Sequence, residues 1–381
     1  MLNHHTLLEI SRKYGTPVYV YDASVIRKQY RKLQEAFQTL AYEIHYAMKA
    51  NENPEILSIF KDLGANIDAV STGEIQRALQ VGFLPEDIIY TPSFPSLREI
   101  DFAIKNKIKI HIGEIYALQY IIEKYPGVSI GLRINPANSI EGNQKIATAH
   151  ADSKFGIPLK DLDYVRQISE NKIKIDALHI HTGSDVKSWQ DLANSAKILF
   201  EQLRNFPEVK YLDLGSGFKV KYKPEDVEVD LKSYVEFIEN QINKINRNLE
   251  IHFEPGKYLV SEAGNLLVEV IGIKQGYRKK FVGVNSGFHH LIRPMYYNAY
   301  HEIINLSNSN GEKEIYDVVG QLCEEDTFAY DRAISKISIG DILAIKNAGA
   351  YGFAMASEYN LRRKPKEILV DQEKISDISQ I

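Results

Sequence analysis

Between about residue 44 and residue 254, short apolar runs alternate with stretches whose apolar residues recur every three or four positions. Eight of the runs read as strands: 44–48, 65–70, 87–91, 108–112, 128–134, 177–181, 211–214 and 251–254. Ahead of them, Ile26, Tyr30, Leu33 and Phe37 follow Ser24 at helical spacing on one face, with Ser24 as the expected cap. Segments 74–79, 164–168 and 199–206 also read as helices. Eight strand and helix alternations predict an α/β fold of the (β/α)8 TIM-like barrel type. An open doubly wound sheet is the alternative. It has no dinucleotide fingerprint behind it, because Gly215-Ser216-Gly217 lacks the third glycine.

After about Gly264 the pattern changes. Runs 266–273, 280–284, 316–319 and 342–346 are strand-like, with no helical pattern between them. This predicts a C-terminal all-β domain. The expected division is a barrel over 23–262 and a β domain over 263–381, joined by segment 1–22, with a frayed end from about Gln372.

Composition narrows the class. A chain of 381 residues that is 44% hydrophobic can bury a large core. A net charge of -4, with no basic block, leaves no footprint for nucleic acid. One cysteine, Cys323, excludes an intrachain disulfide and fits a reducing compartment. No apolar run approaches the roughly 20 residues that span a bilayer, and the first residues lack a signal-peptide pattern. A cytoplasmic protein without membrane or nucleic-acid partners is expected.

The chemistry gathers at the expected strand ends, where barrels of this kind place active residues. Lys49 follows the first strand. A lysine partly removed from water disfavours its ammonium form, and a neutral amine attacks carbonyls. Gly215-Ser216-Gly217 offers backbone amides to a phosphate, with Ser184 as a further donor. His179 and His181 lie two apart on a strand, so both point to one side. They read as core histidines, as a stack on a flat cofactor ring, or as zinc ligands. The zinc reading is disfavoured because the other strand ends offer no obvious further ligands. Glu254 beside such a lysine can keep a pyridine nitrogen protonated, which makes the ring a better electron sink.

These residues together describe a pyridoxal 5'-phosphate site, and the chain resembles the fold-type III pyridoxal-phosphate-dependent decarboxylases. Tyr46-Ala47-Met48-Lys49-Ala50-Asn51 resembles the family's Tyr-x-x-Lys-Ala-Asn signature, His181-Thr182-Gly183-Ser184 its His-x-Gly-Ser, and Glu254-Pro255-Gly256 its Glu-Pro-Gly. Leu291-Ile292-Arg293-Pro294, Tyr297, Cys323-Glu324 and the segment 348–355 resemble the branch acting on meso-2,6-diaminopimelate.

The resemblance implies a two-domain architecture like that of alanine racemase and ornithine decarboxylase. It implies decarboxylation to L-lysine and carbon dioxide by a homodimer with shared active sites. It assigns Lys49, Glu254, His181 and Cys323 as catalytic, with His181 stacked on the ring and Cys323 the proton donor. Ser184, Gly215, Ser216, Gly217, Gly256 and Tyr351 are implied around the cofactor. Lys257, Arg293, Tyr297, Glu324 and Tyr351 are implied around the substrate, with Cys323 and Glu324 entering from the second subunit. No metal is implied.

The chain departs from the family pattern at several points. Lys257 stands where relatives carry arginine, which loses the bidentate fork. Ser216 replaces a glycine. Ser286-Gly287-Phe288-His289-His290 is unusual, and the segment after Cys323-Glu324 is one residue short. The alternatives are a sister decarboxylase for ornithine, arginine or carboxynorspermidine, and an amino-acid racemase. A non-catalytic binding relative and a metal-dependent hydrolase are more remote.

Overall fold

The structure, a computed structural model, describes residues 2–137, 152–245 and 247–380. It divides into two compact units. One comprises Met1–Tyr30, Val220–Asp226 and Lys257–Ile381; the other comprises Arg31–Lys219 and Val227–Gly256.

The second unit is a closed parallel barrel. Its strands are β2 (Tyr42–Ala47), β3 (Asn66–Ala69), β4 (Ile88–Tyr90), β5 (Lys109–Ile112), β6 (Ser129–Asn135), β8 (Lys174–His179), β9 (Tyr211–Asp213) and β10 (Glu250–Phe253). They pair in the order β5-β4-β3-β2-β10-β9-β8-β6, and β5 pairs with β6 to close the ring. The short β7 (Ile157–Pro158) pairs only with the end of β6. All eight expected strands are present, and the open-sheet alternative is excluded by the closure.

Strand periodicity assigns the faces. On β2, Tyr46 stacks on Phe60 of the helix Pro54–Asp62, with centroids 3.9 Å apart. Glu43 and His45 therefore face the interior. That interior is polar. His111 on β5 reaches the Tyr211 hydroxyl on β9 at 3.1 Å, although these strands are not neighbours. Such a contact is possible only across the inside of the ring. His45, His111, His179 and His252 are all at most 1% exposed. A small apolar cluster of Ile89, Ala177 and Tyr211 packs there as well.

The other unit is a mixed sheet. Its strands are β1 (Val18–Asp22), β11 (Gly264–Gln275), β12 (Lys280–Val284), β13 (Ile303–Asn305), β14 (Lys313–Val319), β15 (Thr327–Ser335), β16 (Ile342–Ile345), β17 (Lys366–Asp371) and β18 (Lys374–Asp377). The path runs β15-β14-β12-β11-β1-β17-β18, with β16 pairing β11 and β13. The N-terminal β1 lies between β11 and β17, antiparallel to one and parallel to the other.

Four local expectations are corrected. The end beyond Gln372 is not frayed, because β18 pairs with β17. The β unit contains a short helix, Arg293–Tyr297, with Pro294 in its first turn, where no N–H is needed. Ser24 is not the helix cap: Asp22 Oδ1 accepts from the Ser24 N–H at 2.9 Å and its hydroxyl at 2.6 Å, and Ser24 lies inside Ala23–Phe37. The helix expected over 199–206 runs instead from Trp189 to Gln202, capped by the Ser188 hydroxyl. Among the described residues, no helix is long and apolar enough to cross a membrane.

Candidate active site

Lys49 and Glu254 both lie just past strand ends on the C-terminal side of the barrel. β2 ends at Ala47, and Lys49 sits in the single 3-10 turn Met48–Ala50 rather than on the strand. Its Nζ lies 3.0 Å from Asp68 Oδ2. Asp68 is on β3, in register with Ala47. The Lys49 side chain is 37% exposed and that of Asp68 is 1% exposed. The sequence places Asp68 at a chemistry-bearing strand end but assigns it no role. The available signal was a carboxylate at the end of the strand beside Lys49.

Glu254 follows β10 on the other side of β2. His179 Nε2 lies 3.1 Å from its Oε2, and the Thr91 hydroxyl donates to its Oε1 at 3.4 Å. His181 Nδ1 is 3.8 Å from Oε2. Burial acts to raise the Glu254 carboxyl, but the nearby Lys49 and Arg133 cations outweigh it and hold the group below the usual carboxylate range. Asp213 is driven the other way, by burial and then by the Glu254 charge. Burial and Glu254 likewise raise Asp68, against the pull of Lys49. Of these three buried carboxyls, Glu254 is the one held below its usual range. Burial holds His179 well below the histidine range, and it lowers His181 to about 3. Both rings are neutral at physiological pH.

His179 and His181 do not share a strand, since β8 ends at His179. His179 is fully buried and His181 is 19% exposed. The expectation that no further ligands stand near His179 is also corrected. Donor atoms of His111, His179 and Glu254 all lie within 4.8 Å of one another. His111 and Arg133 were not anticipated, because their strand ends lie on one face only once the ring closes.

The glycine loop follows β9. Gly215 and Gly217 have φ of +61° and +111°, a region that favours glycine. A Cβ on Gly217 would lie 2.5 Å from the Gly183 carbonyl oxygen. The loop is therefore pressed against the segment carrying His181 and Ser184, and Val186 N–H donates to Gly217 O at 2.8 Å. Ser216 is buried and Ser184 half-buried. At Gly256 a Cβ would meet Ala47 O at 2.9 Å, so glycine lets the end of β10 approach the end of β2.

The remaining expected site residues belong to the β unit. Arg293 is buried, donating to the Tyr222 hydroxyl at 2.9 Å and to His301 Nε2 at 3.2 Å. His301 Nδ1 lies 2.8 Å from the Lys346 carbonyl, which leaves Nε2 as the acceptor. Lys257 is buried in the turn of helix Lys257–Val260. Tyr297 packs edge-on against Tyr296 with centroids 4.7 Å apart. Tyr351 has φ +55°, a strained conformation for an aromatic residue. Cys323 and Glu324 are exposed, and the Tyr359 hydroxyl donates to Glu324.

Asp326 holds the loop around Cys323. Asp326 accepts from Phe288 N–H at 2.6 Å and Leu322 N–H at 3.1 Å, and its own N–H donates to Glu324 O at 2.8 Å. One buried carboxylate thus turns the chain between β14 and β15.

A lysine, a left-handed glycine cradle and a buried ionised carboxylate on one parallel barrel fit a phosphorylated pyridine aldehyde. The donor set therefore agrees with the class, a pyridoxal-phosphate-dependent carboxy-lyase. The family model described as pyridoxal-dependent decarboxylase, pyridoxal binding domain, matches residues 23–261. The diaminopimelate decarboxylase of Aquifex aeolicus is 34% identical over 381 aligned residues, covering 96% of this chain and 89% of that protein. That of Neisseria meningitidis is 35% identical over 374, covering 95% and 91%. The crystal structure of the Helicobacter pylori enzyme complexed with L-lysine superposes with a TM-score of 0.92 at 31% identity, covering 99% of this chain and 96% of that one. The chain belongs to the pyridoxal-dependent decarboxylase family, in its diaminopimelate decarboxylase branch.

Proposed function

We propose that this chain removes one carboxylate from meso-2,6-diaminopimelate, releasing carbon dioxide and L-lysine, as a homodimer with shared active sites. The observation that carries this reading is Glu254, buried yet held ionised beside Lys49. When bound, pyridoxal phosphate supplies an electron sink for the pair left at Cα as the carboxylate departs.

The chain's own residues divide the remaining work. Lys49 is the covalent anchor for the cofactor, with Asp68 orienting its amine. Glu254 would hold a proton on the pyridine nitrogen of the bound cofactor, and neutral His179 braces Glu254. The amides of Gly215, Ser216 and Gly217, with the Ser184 and Tyr351 hydroxyls, hold the phosphate. His181 would lie against the ring of the bound cofactor, and Gly256 keeps the two strand ends close.

Arg293, Tyr297, Lys257, Glu324 and Tyr351 hold the substrate. A buried guanidinium suits the carboxylate at the far end of a diamino diacid, and Tyr222 and His301 fix its direction. Cys323 gives a proton to Cα. Its exposure supports a place at a surface that a second copy covers. A single cysteine, with no intrachain disulfide to form, fits a reducing compartment such as the cytoplasm.

The test is carbon dioxide release from diaminopimelate, ornithine, arginine and lysine offered separately. Diaminopimelate alone should react, with L-lysine as product. Faster release from ornithine or arginine would overturn the substrate assignment.

A further inference from the structure

The barrel holds a second group of ligating side chains, away from the cofactor end. Glu43 lies near the start of β2, His45 two residues along the same face, and His252 on the adjoining β10. His252 pairs in register with Glu43. His45 Nε2 lies 3.1 Å from Glu43 Oε2, and His252 Nε2 lies 3.5 Å from the same oxygen. Donor atoms of all three lie within 4.8 Å of one another. Glu250 Oε2, 3.6 Å from His252 Nε2, stands at the start of β10.

His45 and Glu43 share a hydrogen bond, and the spacing of the whole set also matches a coordination shell. Four donors placed tetrahedrally at about 2.0–2.1 Å from zinc are roughly 3.3 Å apart. The set is two imidazoles and one or two carboxylates, which suits a borderline divalent metal.

His252 supplies an independent pointer. It is 1% exposed, and neither of its ring nitrogens has a hydrogen-bond partner. A buried imidazole with both nitrogens unmatched costs stability unless something occupies it. Its ring is fixed by stacking on Tyr211, with centroids 4.1 Å apart and planes 17° from parallel. Asn66 Nδ2 donates to Glu43 Oε2 at 2.9 Å and orients that carboxylate. The Glu43 side chain is 34% exposed and that of Glu250 59%, which gives an ion a route from solvent. Their two negative charges offset the ion beside Lys109.

We propose that Glu43, His45 and His252, with Glu250 or water completing the shell, form a divalent transition-metal site of the zinc type on the N-terminal side of the barrel. The ion clamps β2 to β10, the adjacent strands that lead to Lys49 and Glu254. Its role is structural, and it does not depend on the substrate assigned above.

The experiment uses the chain loaded with pyridoxal phosphate, freed of metal by a chelator and titrated with Co2+ alone. One Co2+ per chain should bind, with the visible ligand-field bands of a tetrahedral site, and Zn2+ should displace it. Zn2+ should also raise the thermal midpoint. Glu43→Gln and His252→Gln should each weaken binding at least about tenfold, since even the loss of an outer-shell partner costs that much. Glu43 is partly exposed, so its variant tests the site even where His252→Gln fails to fold. No stoichiometric binding overturns the proposal. So does binding that survives in folded Glu43→Gln, including binding lost only in His111→Gln, which would place the ion beside the cofactor.

Discussion

The Lys49 amine lies 3.0 Å from the Asp68 carboxylate, a pairing that joins the ends of two adjacent barrel strands. Asp68 is buried, which raises its carboxyl, and Lys49 is the nearby cation that pulls the other way. The pair fixes the amine's direction from outside the lysine's own turn.

Lys49→Ala should keep the fold and lose turnover. Asp68 adapts to the loss by binding a proton, because burial already raises its carboxyl. Borohydride reduction of the wild-type protein should leave the pyridoxyl group on Lys49 in a peptide map. A label on Lys257, or on no lysine, would remove Lys49 from its assigned role. Circular dichroism of the variant checks the fold.

Glu254→Gln should bind the cofactor but decarboxylate on the order of 100-fold more slowly, the scale of losing one preorganised electrostatic contact. A neutral amide cannot hold a proton on the ring nitrogen. Single-turnover rates at saturating substrate, with cofactor content measured by absorbance, separate the two effects. An unchanged rate would assign the ring's protonation to another group.

Glu74 should make stability depend on pH. Burial raises its carboxyl to about 7, against a backbone hydrogen bond from Val70 at 2.7 Å. The unfolded chain loses this proton at a lower pH than the folded chain does. Between about pH 4.5 and 7 the folded state therefore binds more protons, and stability falls as pH rises. Glu74→Gln removes that slope. Relative to wild type it should gain stability through this window and level off above it, by at most about 3 kcal/mol. Denaturant melts at pH 5 and pH 8 read the difference, and a constant gap would contradict the assignment.

Lys49→Ala and Cys323→Ala should complement when mixed and allowed to exchange subunits. Random exchange of equal amounts makes half the dimers hybrid. Each hybrid then has one site with both lesions and one with neither. Activity should recover to about a quarter of wild type, given the isologous interface of a two-fold dimer. Verified hybrids without activity would mean that each site is built within one chain.

The alternation of apolar runs and amphipathic stretches was enough to locate all eight barrel strands, because strand and helix periods are local properties of the chain. Lys49, the glycine loop and Glu254 were legible for a related reason: each sits at the end of such a run, where a barrel exposes its chemistry. Boundaries were less legible. Asp22 displaced Ser24 as a cap, and β18 appeared where fraying was expected, since β17 offers it an edge to pair with.

Only the closed ring decided the rest. Asp68 gained meaning when β3 paired with β2 and set it opposite Lys49. His111, Arg133 and His179 became neighbours of Glu254 because β5, β6 and β8 curve round to face β10 across a polar interior. Glu43, His45 and His252 are 207 or more positions apart across the two strands, yet one parallel register brings their donors within 4.8 Å. Periodicity tells which way a side chain points, but not which distant strand it points toward. That is set by ring closure and pairing register, and it is where the charge of Glu254 and the vacant nitrogens of His252 were determined.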